Sequence, residues 1–191
     1  MSNASTQTDF SAFGNRELMV IRVDGPGVCR ESGRFENLLL EVERRGYQTL
    51  VLDFSACPRM DSTFAGALLR LASRLGVDAA NGSSAPMRVV LAGLTGVVSE
   101  LLDTLCVTRV LETVPVPRTE DLPAVPVVDR DLAKDQIMAL SLDGHERLAA
   151  LTPENERRFA ALLPMLRQQV ASSAEGSGSK PADAQGRTEC P

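Results

Sequence analysis

Apolar positions along the chain alternate between two periods. Glu17–Val23 (ELMVIRV) is rich in β-formers and predicts a strand, which Asp24, Gly25, Pro26 and Gly27 end. A short extended piece at Val28–Arg30 follows. Ser32 is then placed to cap a helix reaching Arg45, with Phe35, Leu38, Leu39 and Val42 on one face and Gly46 as its stop. Gln48–Phe54 (QTLVLDF) is a nearly continuous apolar run, the pattern of a central strand covered on both faces. After a loop at Ser55–Met60, the spacing of Phe64, Leu68, Leu71 and Leu75 predicts a helix over Ser62–Leu75, ended by Gly76. Val77–Pro86 reads as a polar surface loop. Met87–Ala92 predicts a strand, Gly96–Leu105 a helix and Arg109–Val114 a last short strand. Strands and helices alternating over short connections predict βαβ units. The expected fold is α/β, a small mixed or mostly parallel sheet of four to five strands covered by helices, with the early strand pieces antiparallel at one edge.

The flanks read differently. Residues 1–14 are polar and broken, and are expected to be mobile. The core is expected over 15–116. Pro115, Pro117, Pro123 and Pro126 make 117–128 a stiff connector. A helical extension is expected over 129–171: Asp129 caps a helix to about Leu151, and Thr152 followed by Pro153 starts another. Pro164 should kink that helix or end it early. The extension presents Leu132, Ile137, Leu148, Phe159 and Leu166, either to the helical layer of the core or to a docking or dimerisation partner, so a homodimer is left open. Residues 172–191 are low-complexity and expected to be disordered.

Composition narrows the chemistry. Of 191 residues, 43% are hydrophobic, enough for a core, but only 4% are aromatic and none is Trp, which argues against a base- or sugar-stacking surface. The net charge of -5 argues against nucleic acid or anionic lipid held by a basic field. No apolar run approaches the ~20 residues of a membrane span. MSNASTQTDF shows no secretory signal, so the default location is the cytoplasm. Cys29, Cys57, Cys106 and Cys190 have no zinc-site spacing. Three of them read as small buried hydrophobes, with Cys57 the accessible candidate. His145 is the one histidine and reads as a helix-surface or partly packed residue without a nucleophile to pair with. No phosphate-loop, dinucleotide, zincin or nucleophile-elbow string occurs. The chain therefore reads as a binding or switching module, not an enzyme, with no cofactor and no metal.

The segment Thr49–Leu75 (TLVLDFSACPRMDSTFAGALLRLASRL) carries the most information. An apolar strand ends at Asp53, a short loop follows, and Asp61-Ser62-Thr63 opens a small-residue helix with Gly66 in its second turn. Leu101–Leu111 (LLDTLCVTRVL) supplies a closing helix and strand. Over residues 15–116 this order of elements resembles the STAS domain of bacterial anti-sigma factor antagonists. The resemblance implies that Ser62 is a phosphorylation site, modified by a partner serine kinase that is itself an anti-sigma factor and restored by a phosphatase. The unmodified form would bind the anti-sigma factor.

The residues themselves fit a switch at that place. Ser62 and Thr63 stand at a helix N-terminus, where N–H groups lack partners and the dipole end is positive. A hydroxyl there either caps the helix or accepts a phosphoryl group. The resemblance places Asp61, Thr63 and Phe64 on the partner surface. Phe64 replaces the family's usual glycine, as an apolar anchor or as a limit on how closely a partner approaches. Gly25-Pro26-Gly27-Val28 lacks an Asp that many phosphorylatable members carry, and Asp24, one position before the glycine, is the residue the resemblance offers in its place. The alternative is a non-phosphorylated STAS scaffold subunit, in a lipid-transport ABC complex or a stress-signalling assembly.

Overall fold

The computed structural model describes residues 7–75, 87–127 and 130–176. The structure departs from the sequence reading near the N-terminus. Asp9–Gly14 forms a strand, β1, where the sequence suggested a broken terminus. Phe10 and Ala12 point to the main core while Phe13 packs on the opposite face, a period of two set in polar surroundings. Gly14 turns into β2 (Leu18–Asp24), and β1 pairs with β2 antiparallel. Helix α1 runs over Cys29–Arg45 and starts earlier than a Ser32 cap would place it. Its N-cap is Val28, whose side chain makes no capping bond. Gly46 closes α1 at φ 72, in the left-handed region that glycine adopts without cost.

Strand β3 (Thr49–Asp53) and helix α2 (Ser62–Arg74) follow, then β4 (Arg88–Ala92) and α3 (Gly96–Thr104). The expected strand at Arg109–Val114 is shorter: Val107–Arg109 is a 3₁₀ turn, and β5 covers only Glu112–Val114. The loop expected at Val77–Pro86 and the Gly76 stop lie outside the described residues, as does Asp129. β6 (Ala124–Val125) is a two-residue strand within the proline-rich connector, paired antiparallel with β1. The sheet therefore has six strands, one more than the upper expectation, in the order β5-β4-β3-β2-β1-β6. The pairings from β2 through β5 are parallel.

Leu50 and Leu52 of β3 face the helices, in one core with Phe35, Leu39, Phe64, Leu68 and Leu102. Val51 faces the other side with Val20 and Val90, where Leu122 of the connector packs. The connector is tied there by Gly14 N–H donating to the Pro123 carbonyl at 3.0 Å. A continuous apolar strand is thus buried on both faces, by helices on one and by the connector on the other.

The extension comprises α4 (Lys134–Leu151), α5 (Pro153–Phe159) and α6 (Leu162–Gly176). The backbone breaks between α5 and α6 at Ala160, four residues before Pro164. That is where a proline ring would strike a helical carbonyl, and Pro164 itself sits in the first turn of α6, where its missing N–H costs nothing. Helix α6 continues to Gly176, beyond the disorder boundary expected at 172.

Helix α4 lies against α2 with two glycines, Gly66 and Gly144, at the point of closest approach. A Cβ on Gly66 would stand 2.9 Å from the Gly144 Cα, and a Cβ on Gly144 would stand 3.1 Å from the Gly66 Cα. Charges frame this contact. Arg70 of α2 pairs with Asp143 of α4 and with Glu36 of α1, and Arg147 of α4 reaches Asp143 at 3.0 Å. Asn155 is fully buried and donates to the carbonyls of Leu105 at 2.9 Å and Leu148 at 3.0 Å. It thereby binds α5 to the carbonyl ends of α3 and α4.

The glycine contact yields a prediction. Gly66→Ala gains up to about 1 kcal/mol in helix propensity but forces two backbones apart, an overpacking cost of about 1–3 kcal/mol. Urea denaturation should show net destabilisation. Equal or higher stability would mean that the contact yields easily.

Candidate functional site

The site is built by two loops at the carboxyl ends of β2 and β3. Backbone hydrogen bonds zip them together: Gly25 N–H to the Ala56 carbonyl at 3.1 Å, Gly27 N–H to Arg59 at 3.0 Å, and Asp61 N–H to the Gly27 carbonyl at 2.9 Å. Asp61 then caps two helices at once. Its Oδ1 accepts from the Phe64 N–H of α2 at 2.9 Å, and its Oδ2 accepts from the Cys29 N–H of α1 at 2.7 Å. This explains why α1 needs no cap of its own: the carboxylate comes from the facing loop. A charged acceptor at two helix N-termini is doubly favourable.

The five residues singled out from the sequence separate here. Asp61 is a structural clamp. Ser62 and Thr63 are half-buried in the first turn of α2. Phe64 is fully buried, with its ring stacked on Phe35 at 4.4 Å between centroids and held against Gly27. It is therefore a core residue and not an exposed anchor, because the first position of the α2 apolar stripe points into the core. Asp24 is exposed at the end of β2, on the same end of the sheet, and no described hydrogen bond or ion pair joins it to Asp61–Phe64.

Residue His145 is the part that sequence reasoning missed. It is not a surface residue: it is 2% exposed on α4, and its Nε2 lies 2.9 Å from the Ser62 Oγ. Its Nδ1 lies 2.7 Å from the Ser141 carbonyl oxygen. A carbonyl can only accept, so Nδ1 carries the proton, and in the neutral ring Nε2 is the acceptor. Ser62 O–H therefore donates to His145. Phe159 meets the imidazole edge-on at 5.2 Å between centroids and fixes its tilt. One signal in the sequence pointed here. Helix α2 (STFAGALLRLASR) is apolar beyond its stripe, and Ala65, Ala67 and Leu69 are buried with it, so a second layer had to cover it.

The cysteines also exchange roles. Cys57 is buried, with its Sγ 3.2 Å from the Arg59 carbonyl oxygen, and burial pushes its thiol up. Cys29 is the exposed one among the described cysteines and adjoins the site. Burial raises its thiol, a hydrogen bond with Thr63 acts the other way, and the Asp61 charge adds to the rise. Among the described residues, no group of His, Cys, Asp and Glu could hold a metal ion. No described helix is long and apolar enough to cross a membrane.

The family model of the STAS domain matches residues 10–119, more than half of the chain. The chain belongs to the STAS family. The STAS match runs from β1 through β5, so it includes the first strand and ends before the helical extension. No curated protein matches the chain. Among solved structures, it is similar to one described as "Structure of the Anti-Sigma Factor Antagonist SpoIIAA in its Unphosphorylated Form", at 15% identity and a TM-score of 0.39, over 60% of this chain and 92% of that one. In this STAS protein the Asp61-Ser62-Thr63 turn thus sits within the family core, while the histidine bonded to Ser62 lies outside it.

Two predictions follow from the geometry. Ser62→Ala leaves a buried His145 acceptor without its donor, which should cost about 1–3 kcal/mol in chemical denaturation; no loss would show that the bond does not form. A raised thiol means less thiolate at neutral pH. Iodoacetamide should therefore alkylate Cys29 more slowly in the folded chain than in the same chain unfolded in urea at pH 7, as peptide mass mapping would reveal.

Proposed function

We propose that this STAS protein is an anti-sigma factor antagonist whose partner binding is switched by phosphorylation of Ser62. The observation that carries the reading is the position of Ser62, in the first turn of α2 inside the matched family core and beside a clamped carboxylate. In this reading an anti-sigma factor kinase phosphorylates Ser62, a phosphatase reverses it, and the unmodified chain binds the anti-sigma factor. Asp61, Thr63 and exposed Asp24 border the surface the partner reads.

Phosphorylation adds about -1.5 to -2 charges at neutral pH. The α2 N-terminus accommodates charge of that sign. Asp61 repels it, and so does any acidic or desolvated partner surface. The phosphoryl group also replaces the hydroxyl proton, so the Ser62 donation to His145 ends with modification. One covalent change therefore alters both the outer surface and the contact with α4.

One observation favours a second reading. The Ser62 hydroxyl is already committed to a buried histidine, as it would be in a scaffold subunit that is never phosphorylated. The two readings part on a single experiment: the full chain is incubated with candidate anti-sigma factor kinases and ATP, followed by phosphopeptide mapping. The switch reading expects modification at Ser62, and Ser62→Asp should weaken anti-sigma factor binding by more than tenfold, since an unpaired charge facing a partner costs about 2–5 kcal/mol. Modification of Thr63 with Ser62 untouched would remove the Ser62 assignment, and modification of neither would favour the scaffold.

A further inference from the structure

We propose that His145 is the general base that activates Ser62 toward electrophilic phosphorus, so that this chain brings its own proton acceptor to the modification. The inference rests on the reading of Ser62 as the phosphorylated residue. It goes beyond it in assigning a reacting role to a residue of the extension, outside the family core.

The arrangement has three parts. Ser62 O–H donates to His145 Nε2 across 2.9 Å, within the range required of a nucleophile and its base. His145 Nδ1–H donates to the Ser141 carbonyl at 2.7 Å, which fixes the tautomer that leaves Nε2 free to take a proton. The Ser141 hydroxyl, at 3.5 Å from Nδ1, is too distant to compete. Phe159 sets the ring plane, and α4 is held to α2 by the Gly66–Gly144 contact and the Arg70–Asp143 pair, so the base cannot drift from the nucleophile.

The step balances. The Ser62 Oγ forms a bond to the γ-phosphorus of a nucleoside triphosphate held by the kinase, and the bond from that phosphorus to the bridging oxygen breaks, with the nucleoside diphosphate leaving. The Ser62 proton moves to His145 Nε2. The imidazolium so formed keeps its Nδ1–H on the Ser141 carbonyl and turns its new N–H toward the phosphoserine oxygens. The first turn of α2 lies beside the developing charge. Phosphorylation would then exchange one bond between α2 and α4 for another rather than release α4.

Diisopropyl fluorophosphate tests the pair without a kinase: Ser62 Oγ bonds phosphorus, the P–F bond breaks, fluoride leaves and His145 takes the proton. Intact mass and peptide mapping of the full chain should show labelling at Ser62, abolished in Ser62→Ala and slowed by about 100-fold or more in His145→Gln. No labelling of Ser62 would overturn the proposal, as would equal rates in a folded His145→Gln. Should His145→Gln not fold, the wild-type chain decides. It has one histidine, so its ring nitrogens are read without ambiguity by 15N NMR. A neutral ring protonated at Nδ1 is expected; protonation at Nε2 would overturn the proposal, because that nitrogen could not accept. If fluorophosphate labels Ser62 and no kinase does, the base assignment stands and the phosphorylation switch falls.

Discussion

The Asp61 carboxylate holds the working end of this molecule in place. One oxygen stops α2 from fraying and the other stops α1, across a gap that no backbone bond between the two helices spans. Because Asp61 is itself hydrogen-bonded through its N–H to Gly27, the strand ends, both helix starts and Ser62 form one rigid unit. Replacing Asp61 would orphan two N–H donors together, so it is the position in the motif least separable from the fold. Its neighbour Ser62 inherits a fixed direction, which is why the hydroxyl can meet a partner on another element.

That partner comes from the extension. Two glycines let α2 and α4 approach backbone to backbone, and only at such separation can a histidine one position after Gly144 reach the first turn of α2. The charged residues outside the contact, Arg70, Asp143 and Arg147, set its register along the helices. Buried Asn155 then ties the following turn to α3. The extension is thus joined to the core at polar points whose partners would be left unsatisfied by its departure, which makes the docked arrangement specific as well as apolar.

Much of the core was legible because it obeys local periods. The stripe Phe64, Leu68, Leu71, Leu75 and the run Leu50–Leu52 are buried where their spacing placed them. Phe64 shows the cost of asking one residue to serve two readings: membership in a buried stripe and service as an exposed anchor exclude each other, and the stripe prevails. β1 was missed because its two-residue period is short and interrupted by polar positions, and β6 because two residues form a strand only when a neighbouring edge is there to pair with them. The Ser62–His145 bond joins residues 83 apart in the chain, and no local pattern carries a contact of that kind. Cys29 and Cys57 exchanged places for a similar reason. The loops that hide one and expose the other are closed by backbone hydrogen bonds that leave no trace in residue type.

The central claim is that the Ser62 hydroxyl and the His145 ring form a working bond between core and extension. A double-mutant cycle on unfolding free energy, with Ser62→Ala, His145→Phe and the two combined, measures it most directly. Residues in contact couple by about 0.5–3 kcal/mol, and the two substitutions should show coupling in that range, the double variant losing less than the sum of the singles. Additivity to within about 0.3 kcal/mol would contradict the claim.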